Sequence, residues 1–140
     1  MEIVIITGIS GAGKSSALDI FEDMGYYSMD NLPPQLLTNF AELSKTSMKE
    51  IDRLAVVADI RGGIFFNDLI YAINKLKAMG EKVSILFLDA SDEILVRRYK
   101  ELRRPHPLVT EEINLLDAIH KEREQLGEIR KLADTYIDTT

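Results

Sequence analysis

The segment from residue 8 to residue 15 reads Gly-Ile-Ser-Gly-Ala-Gly-Lys-Ser and matches the pattern G-x-x-x-x-G-K-[ST] at every fixed position. Glycines permit a backbone that turns successive N–H groups inward, where they form a nest for an anion. Lys14 would reach the β- and γ-phosphates of a nucleotide, and the Ser15 hydroxyl would ligate Mg²⁺. The pattern therefore predicts a phosphate-binding loop that consists of Gly8, Ile9, Ser10, Gly11, Ala12, Gly13, Lys14 and Ser15.

A carboxylate at the end of a neighbouring strand should hold the Mg²⁺ ion, either directly or through water. Two candidates follow apolar runs, Asp59 after LAVVA and Asp89 after SILFL. We favour Asp59 because the segment that follows it, Ile60-Arg61-Gly62, would bring a cation and a flexible turn to the same strand end. Ligands of open α/β sheets bind at the carboxyl ends of the strands. The alternative is that Asp59 caps the next helix, and Asp89 is interpreted as a turn or cap residue.

A third carboxylate, Asp30, ends the run YYSMD and precedes Asn31-Leu32-Pro33-Pro34. At the end of a strand it could bind Mg²⁺, orient a water molecule or hold the hydroxyl of a phosphoryl acceptor. Asp and Asn before Pro also start helices, so a purely structural role for Asp30 stays open.

Four arginines lie in the run RRYKELRR, namely Arg97, Arg98, Arg103 and Arg104. Guanidinium groups stabilise charge on a phosphoryl group in transfer, so these side chains could close over a nucleotide as a lid. However, Glu93 and Glu101 each lie four residues from Arg97, as on an ordinary solvated helix face. The lid and the surface interpretation both stay open.

Short apolar runs alternate with longer amphipathic stretches, and this pattern predicts a parallel sheet covered by helices. The predicted strands are 2–7, 26–29, 54–59, 83–89 and 135–138. The predicted helices are 14–24, 33–44, 64–79, 92–103 and 111–131, the last with Thr110 as its cap. We therefore expect an α/β domain of the P-loop type, with a five-stranded parallel sheet, helices on both faces and the kinase-like strand order 2-3-1-4-5.

Length and composition fit one domain that spans residues 1–140. No apolar run approaches the roughly 20 residues that cross a bilayer, and no secretion signal precedes the first strand. The absence of cysteine suits a reducing cytoplasm. The net charge of −6 repels phosphate backbones, so RNA binding is not expected. Because the chain stops directly after the fifth predicted strand, we expect it to be a fragment of a longer polypeptide.

Four stretches carry a family resemblance: GISGAGKS at 8–15, EDMGYYSMDNLPPQLL at 22–37, ADIRG at 58–62 and LFLDASDEILVRRYKELRRPHPL at 86–108. On these stretches the chain resembles the RapZ/YvcJ family of bacterial P-loop nucleotide-binding proteins. The resemblance implies binding of ATP and GTP with slow hydrolysis, and it implies that residues 8–15 and 59–62 contact the nucleotide. It also implies a C-terminal domain, which in some relatives binds small regulatory RNA and an amino-sugar phosphate, and which we expect to be absent here.

These observations predict a Mg²⁺-dependent ATP- and GTP-binding protein of the cytoplasm that hydrolyses its nucleotide slowly. The catalytic residues would be Lys14, Asp59 and Arg61, and the metal ligands would be Ser15 and Asp59. Two other classes stay open. One is a phosphotransferase whose acceptor lies near Asp30, and the other is a regulatory module that binds nucleotide without significant turnover. The sequence is also compatible with an oligomer.

Overall fold

The computed structural model describes residues 2–9, 11–30, 32–46, 52–58, 63–102 and 114–139. In chain order the elements are β1 (Glu2–Gly8), α1 (Lys14–Asp23), β2 (Tyr27–Asp30), α2 (Pro34–Thr46), β3 (Arg53–Val57), α3 (Gly63–Ala78), β4 (Lys82–Asp89), α4 (Asp92–Leu102), α5 (Leu115–Gln125), α6 (Gly127–Leu132) and β5 (Thr135–Asp138). No helix in these ranges is long and apolar enough to cross a membrane.

The strands form one parallel sheet in the order β2-β3-β1-β4-β5, which confirms the order predicted from the sequence. β1 lies at the centre, with Ile5 opposite Val56 of β3 and Ile85 of β4. Residues 3–8 of β1 are all buried. Because successive side chains of a strand point to opposite faces, this unbroken burial requires a cover on both faces. The predicted α/β class with helices on both faces is confirmed.

Helix α1 ends where the sequence predicts an end. Gly25 has a φ of +94°, and its N–H donates to the carbonyl oxygen of Glu22 at 3.0 Å. A residue with a Cβ would adopt this left-handed conformation only at a cost, so glycine is the residue that lets the chain leave the helix. The chain then turns into β2, and α1 lies against β1, β2 and β3.

The prediction of one long helix over 111–131 was wrong. Helix α5 begins at Leu115, and its cap is Asn114, whose side-chain oxygen accepts a hydrogen bond from the N–H of Asp117 at 2.9 Å. Thr110, the predicted cap, lies outside the described residues. The helix also breaks at Leu126, a buried residue with φ −94° and ψ 1°, before Gly127 opens α6. Glycine has a low helix propensity, and this favours a break at that point.

Candidate functional site

The carboxyl end of β1 runs directly against the backbone of β4 at Gly8. A Cβ atom on Gly8 would lie 2.1 Å from the carbonyl oxygen of Leu88, and the φ angle of Gly8 is +142°. The next residue, Ile9, is fully buried, and its N–H donates to the same Leu88 oxygen at 3.1 Å. The first glycine of the predicted loop is therefore required by the close approach of two strands as well as by its backbone conformation.

Between β1 and α1 the loop turns at two further glycines. The Ala12 N–H donates to the carbonyl oxygen of Ile9 at 3.0 Å. Gly11 and Gly13 have φ angles of +88° and +102°. A Cβ on Gly11 would lie 3.0 Å from the ring of Tyr99, whereas a Cβ on Gly13 would meet no atom within 4 Å. The positive φ angle therefore favours glycine at both positions, and at Gly11 a Cβ would in addition crowd the Tyr99 ring.

Lys14 brings a positive charge across this loop. It opens α1 directly after the N-cap Gly13, and its Nζ atom donates to the carbonyl oxygen of Gly8 at 3.1 Å. Ser15 follows it, exposed, in the first turn. The N–H groups of a first helical turn and the positive end of the helix dipole attract phosphate, and the lysine adds a full charge there. Ser10, the remaining residue of the predicted loop, lies outside the described residues.

A cavity of about 890 Å³ adjoins the loop. Residues 11–15 form one wall, Ile20 and Phe21 continue it along α1, and Arg98 and Thr139 contribute from α4 and the end of β5. Small-molecule pockets typically have volumes of roughly 300–1,000 Å³. The phosphate loop therefore opens onto a space large enough for the remainder of a nucleotide.

Asp89, the second candidate for the metal carboxylate, has a structural role. It ends β4 and is 6% exposed. Its Oδ1 atom accepts hydrogen bonds from the Ala90 N–H at 2.7 Å and from Arg123 at 3.1 Å, and its Oδ2 atom accepts one from the Tyr136 hydroxyl at 3.2 Å. Burial and then the charge of Asp89 raise the pKa of Tyr136, so the phenol keeps its proton and remains a donor. Both carboxylate oxygens of Asp89 are thus bound within the protein.

The other two candidate carboxylates are Asp30, at the end of β2, and Asp59, which follows β3 along the sequence. Asp30 is exposed at the end of β2 and pairs in register with Val57 of β3. Ala58 continues β3 by donating its N–H to β1 at 3.0 Å. The favoured residue Asp59 and the segment Ile60-Arg61-Gly62 lie outside the described residues, so their roles stay predictions. Asp30 is an available carboxylate at the carboxyl edge of the sheet.

One donor described near the loop, the Ser15 hydroxyl, suits Mg²⁺ of the kind that binds together with a nucleotide. Within the described ranges, no group of three or more His, Cys, Asp or Glu side chains could hold a metal ion by itself. Mg²⁺ in phosphate-binding proteins usually keeps several waters and uses one or two carboxylates plus the phosphates. The exposed Ser15 hydroxyl, together with Asp59 as the predicted carboxylate, would complete such a site.

The predicted arginine cluster separates into side chains with different surroundings. Arg97 has a 60% exposed side chain, and its Nη2 atom lies 3.6 Å from Glu93 Oε1 one helical turn away, as the surface interpretation requires. Arg98 instead turns beneath the loop, where its Nη1 atom donates to the carbonyl oxygen of Gly11 at 2.9 Å. Arg103 and Arg104 lie outside the described residues. The lid interpretation therefore stays a prediction for these last two arginines.

Sequence reasoning missed Thr139, which contacts the loop. Its hydroxyl donates to the carbonyl oxygen of Ala12 at 2.7 Å, and its N–H donates to the carbonyl oxygen of Asp89 at 2.8 Å. Thr139 and Ala12 are 127 residues apart. No local pattern around Thr139 could have indicated this contact, since it depends on β5 taking its place beside β4.

A parallel sheet of this strand order, with a glycine-rich loop and a lysine between its central strand and the following helix, defines a P-loop nucleotide-binding domain of the kinase-like type. The chain belongs to the RapZ-like N-terminal domain family, whose model matches residues 1–140. This match confirms the resemblance seen in the sequence.

Two curated relatives are each named nucleotide-binding protein. The one from Finegoldia magna is 55% identical over 140 residues, and the one from Halothermothrix orenii is 56% identical over 140 residues. Both alignments include the whole of this chain but only 49% and 48% of the relatives. The chain thus spans about half the length of the curated relatives that it matches.

Solved structures of small-molecule kinases share the fold. A shikimate kinase from Bacteroides thetaiotaomicron superposes with a TM-score of 0.63 at 19% identity, over 98% of this chain and 86% of that one. A gluconokinase from Sinorhizobium meliloti gives a TM-score of 0.58 at 16% identity, over 99% of this chain and 83% of that one. At these identities the likeness concerns the fold alone.

Proposed function

We propose that this domain binds ATP and GTP with Mg²⁺ in the cytoplasm, hydrolyses them slowly and serves a regulatory role. The observation that carries the proposal is the Lys14 ammonium, held across the loop within 3.1 Å of the Gly8 carbonyl oxygen. Around it, Gly11 and Gly13 have positive φ angles, which allow loop N–H groups to turn inward, and α1 begins. The charge of the Lys14 ammonium and the partial positive charges of the N–H groups suit a polyphosphate chain.

Each residue of the site would have a separate task. Lys14 and the loop N–H groups that are not already bound to Leu88 and Ile9 would hold the β- and γ-phosphates and stabilise the charge that develops on them. Ser15 and Asp59 would bind Mg²⁺, which when present neutralises phosphate charge. Arg61 would contribute a second cation at the end of β3. In hydrolysis a water oxygen bonds to the γ-phosphorus, the bond to the bridging oxygen breaks, and orthophosphate and the nucleoside diphosphate leave.

The surroundings of Asp89 remove one candidate for the residue that would orient the attacking water. A fast hydrolase orients the attacking water with a carboxylate or an amide close to the γ-phosphate. The Asp89 carboxylate at the end of β4 is bound by Arg123 and Tyr136 and is not available for that task. Asp30, exposed at the end of β2, and the predicted Asp59 remain the candidate carboxylates for it, and the slow rate itself is proposed from the family resemblance.

Phosphate release from ATP and from GTP with Mg²⁺, measured without any added acceptor, tests the proposal. We expect slow release from both nucleotides that chelation of Mg²⁺ stops and that Lys14→Ala abolishes. A matched control is Lys121→Ala, which removes an exposed lysine of α5. Absence of release from protein that demonstrably binds nucleotide would contradict hydrolysis and would favour the nucleotide-sensing module.

One observation favours a second candidate, a small-molecule phosphotransferase. Asp30 is exposed at the carboxyl edge of the sheet, beside the end of β3, where a carboxylate could accept the proton of an acceptor hydroxyl. The structural neighbours named above include a shikimate kinase and a gluconokinase, and both names indicate hydroxylated acceptors. Nucleotide consumption that waits for a hydroxylated compound, and that Asp30→Asn removes, would support this candidate over the hydrolase.

A further inference from the structure

We propose that Arg98 and Thr139 are positioning residues that hold the phosphate loop in its anion-binding conformation from the side facing α4 and β5. We call this pair the brace. The inference rests on the nucleotide-binding role proposed above and deepens it. In this inference Arg98 neither closes over the nucleotide as part of a lid nor lies on a solvated helix face.

The Thr139 hydroxyl makes the central contact of the brace. It donates to the Ala12 carbonyl oxygen at 2.7 Å and accepts a hydrogen bond from Arg98 Nη1 at 3.1 Å. The Asp89 carbonyl oxygen lies farther away, at 3.2 Å. A hydroxyl has one proton to donate, and the shorter contact assigns it to Ala12. The Thr139 backbone is itself fixed, because its N–H donates to Asp89 at 2.8 Å.

Arg98 completes the brace with a forked set of contacts. Nη1 donates to the Gly11 carbonyl oxygen at 2.9 Å and to the Thr139 hydroxyl, and Nη2 donates to the Thr139 carbonyl oxygen at 2.7 Å. The Tyr99 ring packs next to Gly11. One rigid guanidinium thus ties α4, the loop and the end of β5 together, which a flexible ammonium could not do with the same geometry.

These contacts determine the direction of the N–H groups of the loop. A peptide unit is planar and trans, so its C=O and N–H point in opposite directions. The Gly11 carbonyl points to Arg98, and the Ala12 N–H of the same peptide points to Ile9, where it is observed to bind. In the same way, fixing the Ala12 carbonyl on Thr139 turns the Gly13 N–H away from β5. That donor directly precedes α1, where phosphate is expected.

The acceptors of Arg98 distinguish it from an arginine that only stabilises the fold. In the part of the chain that the structure describes, the hydrogen bonds of Arg98 go to uncharged oxygens of Gly11 and Thr139. Arg123, by comparison, binds the carboxylates of Asp89 and Asp92. Because no carboxylate offsets its charge in those contacts, Arg98 also adds positive potential beneath the loop.

The test compares single variants of the chain in binding ATP, GTP and inorganic tripolyphosphate. Thr139→Val removes the hydroxyl and keeps the shape, whereas Thr139→Ser keeps the hydroxyl. Arg98→Gln removes the guanidinium group and its forked set of contacts. Thr135→Val, at the other end of β5, and Arg97→Gln, next to Arg98 and exposed, are the matched controls. Hydrogen exchange of residues 8–15 in the nucleotide-free protein is the second measurement, since it reports the loop without a ligand.

We expect Thr139→Val and Arg98→Gln to weaken all three ligands by about tenfold or more, since each variant leaves a loop carbonyl without its partner. Exchange of the loop should become faster in both. Thr139→Ser and the two controls should stay within about twofold of the original protein. Equal losses for ATP, GTP and tripolyphosphate would locate the effect at the phosphates.

Three outcomes would overturn the brace. The first is a folded Thr139→Val variant that binds tripolyphosphate as the original protein does, with unchanged loop exchange. The second is an equal loss in Thr135→Val, because it would indicate general destabilisation of β5. The third is an original chain that binds none of the ligands, which would overturn the proposed function as well. If the original chain binds the ligands and Lys14→Ala does not, nucleotide binding at the loop is supported. Unchanged binding in the Arg98 and Thr139 variants would then contradict the brace alone.

Discussion

The Lys14 ammonium lies 3.1 Å from the carbonyl oxygen of Gly8, so the first residue of α1 reaches back to the last residue of β1. In that contact only the donor is charged, whereas a bond from Lys14 to a triphosphate oxygen would join opposite charges and gain Coulomb attraction as well. A triphosphate would therefore compete with the carbonyl for this side chain, which already lies across the loop.

Nucleotide should therefore stabilise the fold, and Lys14 should account for most of that stabilisation. Ligand at ~100 times its dissociation constant adds about 2.7 kcal/mol, which corresponds to several degrees in melting temperature. Lys14→Ala should abolish most of the shift, whereas Lys121→Ala should preserve it. Thermal denaturation with ATP, GTP and their diphosphates measures the effect. An unchanged shift in folded Lys14→Ala would mean that the nucleotide binds elsewhere.

Gly8→Ala should destabilise the protein more than Gly80→Ala does. Both residues have positive φ angles, +142° and +86°, but a Cβ on Gly80 would meet no atom within 4 Å, whereas one on Gly8 would lie 2.1 Å from Leu88. Left-handed backbone alone costs roughly 1–2 kcal/mol, which is the loss expected for Gly80→Ala. Separating β1 from β4 should add about 2 kcal/mol or more for Gly8→Ala. Urea denaturation compares the two, and equal losses would refute the close-approach argument.

The sequence was sufficient for the features that depend on local patterns. Apolar runs predicted β1, β3 and β4 to within two residues, because strands buried on both faces tolerate few polar side chains. Gly25 and Gly80 predicted the ends of α1 and α3, since both adopt positive φ angles. The glycines and Lys14 of the loop lie together because they are neighbours along the chain.

Contacts between segments that are far apart along the chain could not be predicted from the sequence. The pairing of Asp89 with Arg123 spans 34 residues, and the contact of Thr139 with Ala12 spans 127. Each depends on how two strands or helices meet, and an isolated Asp or Thr offers no periodicity that would reveal it. Asn114 was missed as a helix cap for a different reason, because Thr110, which is also a common capping residue, lies upstream of it and directly before two glutamates.

Asp59→Asn and Asp89→Asn should separate a metal ligand from a structural carboxylate. Asp59→Asn should lower Mg²⁺-dependent turnover more than nucleotide affinity, because the amide keeps the shape and loses the charge that faces the metal. Asp89→Asn should instead lower the free energy of unfolding, by about 1–3 kcal/mol, because it weakens the contact with Arg123. Phosphate release and urea denaturation give the two readouts. Full turnover in Asp59→Asn would transfer the metal role to Asp30.

The chain should bind nucleotide but not structured RNA. Its net charge is −6, and in its densest basic run Arg97 lies near Glu93 while Arg98 is engaged with Gly11 and Thr139. Phosphate contacts release counterions, so true RNA binding would weaken steeply with salt. A mobility-shift titration with structured RNA at low and physiological salt should show no submicromolar complex. Salt-sensitive submicromolar binding that is lost on combining Arg103→Ala with Arg104→Ala would place an RNA interface on that run.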